Sequence, residues 1–115
     1  MRANINRRRL LATGAAGVAL AALPVKAQQG GQLHEVDIKG FKFRPAKLEV
    51  RPGDTIRWTN RDRAPHDATA TDGSWRTVTL RKGDSAEVTV SADMSTDYIC
   101  SIHPYMKASL TIVSA

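Results

Sequence analysis

One cysteine, Cys100, and three histidines, His34, His66 and His103, are all that these 115 residues offer of the side chains that most often bind transition metals. A single thiol cannot close a disulfide within the chain, and three imidazoles are too few for two metal sites. After residue 27 no window carries the apolar stripe of an amphipathic helix. There is no internal repeat and no low-complexity tract. The longest apolar run, fourteen uncharged residues from Leu10 to Leu23, falls short of the roughly 20 that a membrane-spanning helix needs.

That run reads as the middle of a three-part export signal. Arg2, Arg7, Arg8 and Arg9 supply the positive start and Val25-Lys26-Ala27 the cleavage site. Residues 1–27 are expected to be removed, leaving residues 28–115 as one domain. Asn6-Arg7-Arg8-Arg9-Leu10-Leu11 resembles a twin-arginine signal, with an Arg-rich secretory signal as the alternative. The expected destination is the periplasm, with membrane association only if the segment stays uncleaved, and with a monomer as the expected state.

Charge of one sign is also scarce once this leader is set apart. It holds five of the 17 basic residues and none of the 11 acidic ones, so the net charge of +6 becomes about +1 over residues 28–115. The apparent basicity is therefore no argument for nucleic-acid binding, which needs a basic face on the folded domain. Outside the cytoplasm an unpaired thiol is oxidised or cross-linked unless something protects it. A bound metal does so, because a ligating sulfur is deprotonated and committed.

What fills the remaining chain is alternation at period two, punctuated by turns. Val36 and Ile38, Leu48 and Val50, Ile56 and Trp58, Val78 and Leu80, and Val88 and Val90 each alternate with polar neighbours. Arg51-Pro52-Gly53-Asp54, Thr71-Asp72-Gly73-Ser74 and Arg81-Lys82-Gly83-Asp84 read as turns. Short strands are also expected near His66, at Tyr98–Cys100 and at Leu110–Val113. Seven or eight such strands predict an all-β, antiparallel sandwich or barrel. Trp58 belongs to its core, Phe41 and Phe43 to the core or to a strand-edge cover, and Trp75 to a partly exposed site. His34 reads as a surface residue.

The chemistry sits in Cys100-Ser101-Ile102-His103-Pro104-Tyr105-Met106, which places a thiolate, an imidazole and a thioether within seven residues. Thiolate and thioether favour Cu(I), and imidazole suits both copper oxidation states. His66, at a strand mouth 34 residues before Cys100, completes a set of two His, one Cys and a weak axial Met. Each residue also has a plainer reading: Cys100 as a small buried hydrophobe, Met106 as core filler, His103 as a surface residue. A Cys–His pair can be nucleophile and base, but no third orienting group is evident. Structural zinc prefers four Cys or His ligands. The set as a whole predicts one copper ion, cycling between Cu(II) and Cu(I), held by His66, Cys100, His103 and Met106.

At these residues the chain resembles the cupredoxins, the small blue copper proteins. The stretch from Phe43 to Asn60, with Pro52-Gly53-Asp54-Thr55-Ile56-Arg57-Trp58 at its centre, looks like the family's second and third strands. Ala64-Pro65-His66-Asp67 looks like the segment bearing the first His ligand, and Cys100 to Met106 like the ligand loop. Two residues separate Cys100 from His103 and two separate His103 from Met106. This is the short loop of amicyanins; the plastocyanin and pseudoazurin loops are longer. The resemblance implies a Greek-key sandwich, with Asn60, Asp67 and Ser101 around the ligands. It implies a docking patch of Ala64, Pro65, Pro104 and Tyr105 around the His103 edge.

One position departs from the pattern. The residue after the first His is commonly Asn in the family and here is Asp67. Its carboxylate is expected to accept from the Ser101 hydroxyl or backbone and, as a negative charge near copper, to lower the reduction potential. The family's backbone N–H at this position points at the Cys sulfur. The function these features predict is a single-electron shuttle between exported redox partners, not an enzyme. An amine dehydrogenase or another dehydrogenase as donor and a c-type cytochrome as acceptor are what the amicyanin resemblance implies. A periplasmic copper-delivery protein and an accessory electron-transfer subunit of an oxidoreductase are the alternatives.

Overall fold

The structure is a computed structural model that describes residues 31–114. The export signal expected over residues 1–27 lies outside them. Eight strands follow one another: β1 (Leu33–Ile38), β2 (Phe43–Arg44), β3 (Lys47–Val50), β4 (Thr55–Asn60), β5 (Thr69–Ala70), β6 (Ser85–Thr89), β7 (Asp97–Ile99) and β8 (Lys107–Ile112). They form two four-stranded sheets, ordered β2-β1-β4-β6 and β3-β8-β7-β5. Among the described residues no helix is long and apolar enough to cross a membrane.

The all-β sandwich agrees with the alternation, but its sheets are mixed. β1 pairs with β4, and β3 with β8, in parallel; the other pairings are antiparallel. Period-two alternation tells which residues share a face and nothing about strand direction, so these two pairings were not legible in it. The Val78–Leu80 strand is a second correction. That stretch makes only isolated bridges, His66 with Leu80 and Thr69 with Arg76. Freed from a regular pleat, it buries Leu80 and Thr77 and leaves Val78 at 72% exposure.

The core is drawn from both layers. Val36 and Ile38 of β1 and Ile56 and Trp58 of β4 are fully buried and meet Val50, Tyr98 and Leu110 of the other sheet. Trp58 stacks on Trp75 at 5.7 Å and meets Tyr98 edge-on at 5.5 Å, with its indole N–H donating to the Tyr98 hydroxyl at 3.3 Å. Such rings each bury about 150–250 Å², so this trio carries a large share of the hydrophobic stabilisation. Burial pushes the Tyr98 phenol up to about 12. Trp75 is half-buried and ties itself to Ser95 O through its indole N–H.

The strands also set the poles of the molecule. β1 and β4 run side by side and end together, Ile38 opposite Asn60. β7 ends at Ile99, opposite Lys107, where β8 begins. The segments that follow Ile38, Asn60 and Ile99 therefore gather at one end. The Arg51–Asp54 turn lies at the other, with Gly53 at φ 94 in the left-handed region that a tight turn assigns to glycine.

Candidate metal centre

Seven residues, Cys100 to Met106, span the gap between β7 and β8. The loop closes on itself: Cys100 N–H donates to Met106 O at 3.1 Å, and Met106 N–H to His103 O at 2.9 Å. Closure turns the Cys100 and Met106 side chains inward, where both are buried, and leaves Ile102 and Tyr105 exposed. His103 stays half-buried at the surface.

His66 arrives from the other layer. It exchanges two backbone hydrogen bonds with Leu80, at 3.1 and 2.7 Å. Asn60, at the end of β4, braces the loop in between. Its side-chain N–H groups donate to Ala64 O and Leu80 O, both at 2.8 Å, and its Oδ1 accepts from Asp62 N–H at 2.8 Å. A buried side-chain amide used three times over in this way makes the approach of His66 rigid.

The result is a convergence of donor atoms. Cys100 Sγ lies 3.7 Å from His66 Nδ1 and 3.7 Å from His103 Nδ1. The two Nδ1 atoms are 3.2 Å apart. Ligand atoms of His66, Cys100 and His103 all lie within 4.8 Å of one another.

The fourth predicted ligand, Met106, is buried at the end of the same loop. Among the described residues the Asp67 N–H is not one of the hydrogen-bond donors to Cys100 Sγ. Asp67 instead accepts from Ser101 N–H at 2.7 Å, from the Ser101 hydroxyl at 2.5 Å and from the Thr69 hydroxyl at 3.0 Å. It thereby clamps the residue after Cys100, as its carboxylate chemistry led one to expect. Arg76 approaches it from outside at 4.0 Å.

Two residues complete the site without having been singled out in the sequence. Asp62 Oδ2 lies 2.9 Å from His66 Nε2, and the same carboxylate accepts from Gly40 N–H at 2.8 Å and Phe41 N–H at 2.9 Å. Burial works against its charge, but these bonds outweigh burial and hold the Asp62 carboxyl below its ordinary value. A carboxylate only accepts, so the His66 proton sits on Nε2 and Nδ1 presents a bare lone pair. Phe41, held at φ 59, sets its ring edge-on to both imidazoles, 4.9 Å from each. The signal for Asp62 was its place four residues before His66. Nothing in the sequence marks Phe41 as more than an aromatic beside a glycine.

This arrangement fits a soft cation. Two imidazole nitrogens and a sulfur with lone pairs directed at one another repel unless a positive charge lies between them. The mix of two nitrogens and one thiolate, with a thioether nearby, is a copper donor set rather than a structural zinc one.

A family model described as a cupredoxin-like domain matches residues 12–112. The chain belongs to the cupredoxin-like family. Among curated relatives of this cupredoxin, amicyanin-alpha of Methylorubrum extorquens is 30% identical over 109 residues, 89% of this chain and 92% of its own length. The amicyanin of Paracoccus denitrificans is 28% identical over 82 residues, 67% of this chain and 63% of its own. A solved copper(I) form of an amicyanin variant superposes with a TM-score of 0.64 at 26% identity, over 70% of this chain and 82% of that one. A copper-containing nitrite reductase from Thermus scotoductus gives 0.65 at 29% identity; 71% of this chain matches 22% of that protein. The cupredoxin thus spans most of one amicyanin and about a fifth of the reductase.

Proposed function

We infer that this cupredoxin holds one copper ion through His66, Cys100, His103 and Met106 and carries single electrons between redox partners outside the cytoplasm. The observation that carries this reading is the meeting of His66 Nδ1, Cys100 Sγ and His103 Nδ1 at one buried point. The match to amicyanin along most of both chains supports it. When bound, copper supplies a one-electron Cu(II)/Cu(I) couple.

The chain's own residues hold the donors still. Asp62 keeps the proton of His66 on the far nitrogen, Asn60 and Leu80 fix the loop before it, and Asp67 fixes Ser101 beside Cys100. Little then has to rearrange when charge changes, which is what a carrier needs. Electron exchange takes place at the surface. His103 lies half-buried at that surface with the Tyr105 ring 6.1 Å away, and Ala64, Pro65, Pro104 and Tyr105 are the patch we assign to docking. We place partner docking there, over a contact smaller than about 1,200 Å².

Export through a cleaved leader over residues 1–27 and residence in the periplasm complete the proposal. An amine dehydrogenase as donor and a c-type cytochrome as acceptor are the partners suggested by likeness to amicyanin. Voltammetry of the copper-loaded protein tests the function. A reversible one-electron wave with copper retained over repeated cycles is expected. Loss of the metal on reduction would point instead to copper delivery.

A further inference from the structure

The near-neutral balance of the domain conceals a separation of charge along the strand direction. From Gly31 onward there are twelve basic and eleven acidic residues. β4 carries the chain from Thr55 to Asn60, about 17 Å at strand rise, from the turn pole to the metal pole. Nine of the twelve cations gather at the metal pole, and all nine are exposed.

Lys39, Lys42 and Arg44 flank Phe41, the ring that touches both imidazoles. Arg61 and Arg63 stand in the loop before His66. Arg76 lies over Asp67. Arg81 and Lys82 form the turn whose Gly83 N–H donates to Asn60 O. Lys107 follows Met106 directly. Among the described residues only Arg61 and Arg76 of the nine make an ion pair, with Asp37 and Asp67.

Apart from Asp37, which pairs with Arg61, the acids of this pole offset them little. Asp62 and Asp67 are turned inward onto backbone and hydroxyl donors. Asp84 accepts from Arg81 N–H. Away from this pole the balance reverses. Arg57 is neutralised by Glu35 and Glu87, and Asp54 is buried in the turn. Glu49 and Asp93 are exposed, against Arg51, while Lys47 and Asp97 lie between the poles, both in register with Ser109.

The positive end therefore surrounds the exposed His103 edge, together with the apolar Ile102 and Tyr105 side chains. We propose that this cationic ring is the docking surface for a redox protein that presents carboxylates around its own electron port. The proposal rests on the carrier function inferred above and names the chemistry of its partner. Unpaired surface cations around a small apolar centre do little for folding. They do steer an anionic partner so that it arrives with its electron port facing His103.

Two small oxidants of opposite charge test it. One electron passes from the reduced protein to hexacyanoferrate(III), giving hexacyanoferrate(II), or to tris(phenanthroline)cobalt(III), giving the cobalt(II) complex. Raising the ionic strength shortens the screening length from about 30 Å at 0.01 M to about 8 Å at physiological salt. The anionic reagent is expected to slow by about tenfold over this range and the cationic one to speed up. Arg63→Glu is expected to weaken the contrast several-fold, and Arg51→Glu, the same charge change in the turn at the opposite pole, to leave it nearly intact.

Rates that ignore salt, or move the same way with both reagents, would overturn the proposal in protein that is blue and holds its copper. Binding to anionic lipid vesicles without the contrast between oxidants would assign the ring to a membrane surface and overturn it too. A folded protein that fails to turn blue would instead defeat the carrier function, and this proposal with it.

Discussion

The molecule contains the same chemical pair twice, once at each pole. At the metal pole His66 Nε2 meets Asp62 Oδ2 at 2.9 Å, and at the turn pole His34 Nε2 meets Asp54 Oδ2 at 2.8 Å. Each carboxylate also accepts two backbone N–H groups: Gly40 and Phe41 for Asp62, Gln32 and Arg51 for Asp54. In both, hydrogen bonds overcome burial and keep the carboxyl below its ordinary value. What differs is the other side of the ring. His66 turns Nδ1 toward a sulfur and a second imidazole, whereas His34 lies outside the cluster of metal-type donors found among the described residues. A carboxylate behind a histidine orients it, and what stands in front makes it a ligand. Asp54 is accordingly a staple for the first strand and Asp62 a staple for the copper site.

The strongest way to break this contrast is to remove the group in front. Cys100→Ala should abolish the intense visible absorption of the copper-loaded protein while the sandwich still folds, as checked by circular dichroism and the visible spectrum. A surviving band would mean that Cys100 is not the thiolate. Asp62→Asn comes next. Loss of the charged partner behind His66 should weaken copper binding by roughly 10- to 100-fold and raise the reduction potential, measured by competition with a chelator and by voltammetry.

Asp54→Ala should do the opposite: stability falls by about 2–3 kcal/mol because three donors lose a charged acceptor, while the copper spectrum stays unchanged. If it weakened copper binding as much as Asp62→Asn, the division of labour would be wrong. Acid sharpens the same point. A carboxyl held below its ordinary value of 3.8 in the fold binds fewer protons there than in the unfolded chain. Its stabilisation is full above 3.8 and is lost as pH falls through the lower folded value. Urea unfolding of the metal-free protein should therefore show a falling midpoint below that range, and Asp54→Ala should flatten the fall. The smallest effect is expected at Asp67, where Asp67→Asn removes a buried carboxylate near the site and should raise the potential modestly. No rise would show that its role is confined to clamping Ser101.

How much of this could be read beforehand varies from residue to residue. Cys100, His103 and Met106 were legible because they lie within one loop, where spacing alone brings donors together. His66 was legible only as the partner that this loop lacked. Asp67 was visible as a departure from the family pattern, and its bonds to Ser101 follow from what a carboxylate accepts. His34 was read as a surface residue, yet it is half-buried against Asp54. That contact joins positions 20 apart through a parallel strand pair, which alternation does not announce. Phe41 was beyond reach for the same reason: its place over both imidazoles depends on Asp62 gripping the backbone of a different loop. The basic ring was hidden by counting charge over the whole domain, because a sum near +1 says nothing about where the charges stand.

The central claim is that a thiolate and two imidazoles from distant parts of the chain meet at one copper. Adding one equivalent of Cu(II) to the folded, reduced protein and recording its visible spectrum tests this most directly. An intense thiolate-to-copper band in the red, saturating at one copper per chain, is the result predicted. Folded protein that binds Cu(II) with only a weak band, or does not bind it at all, would contradict the account.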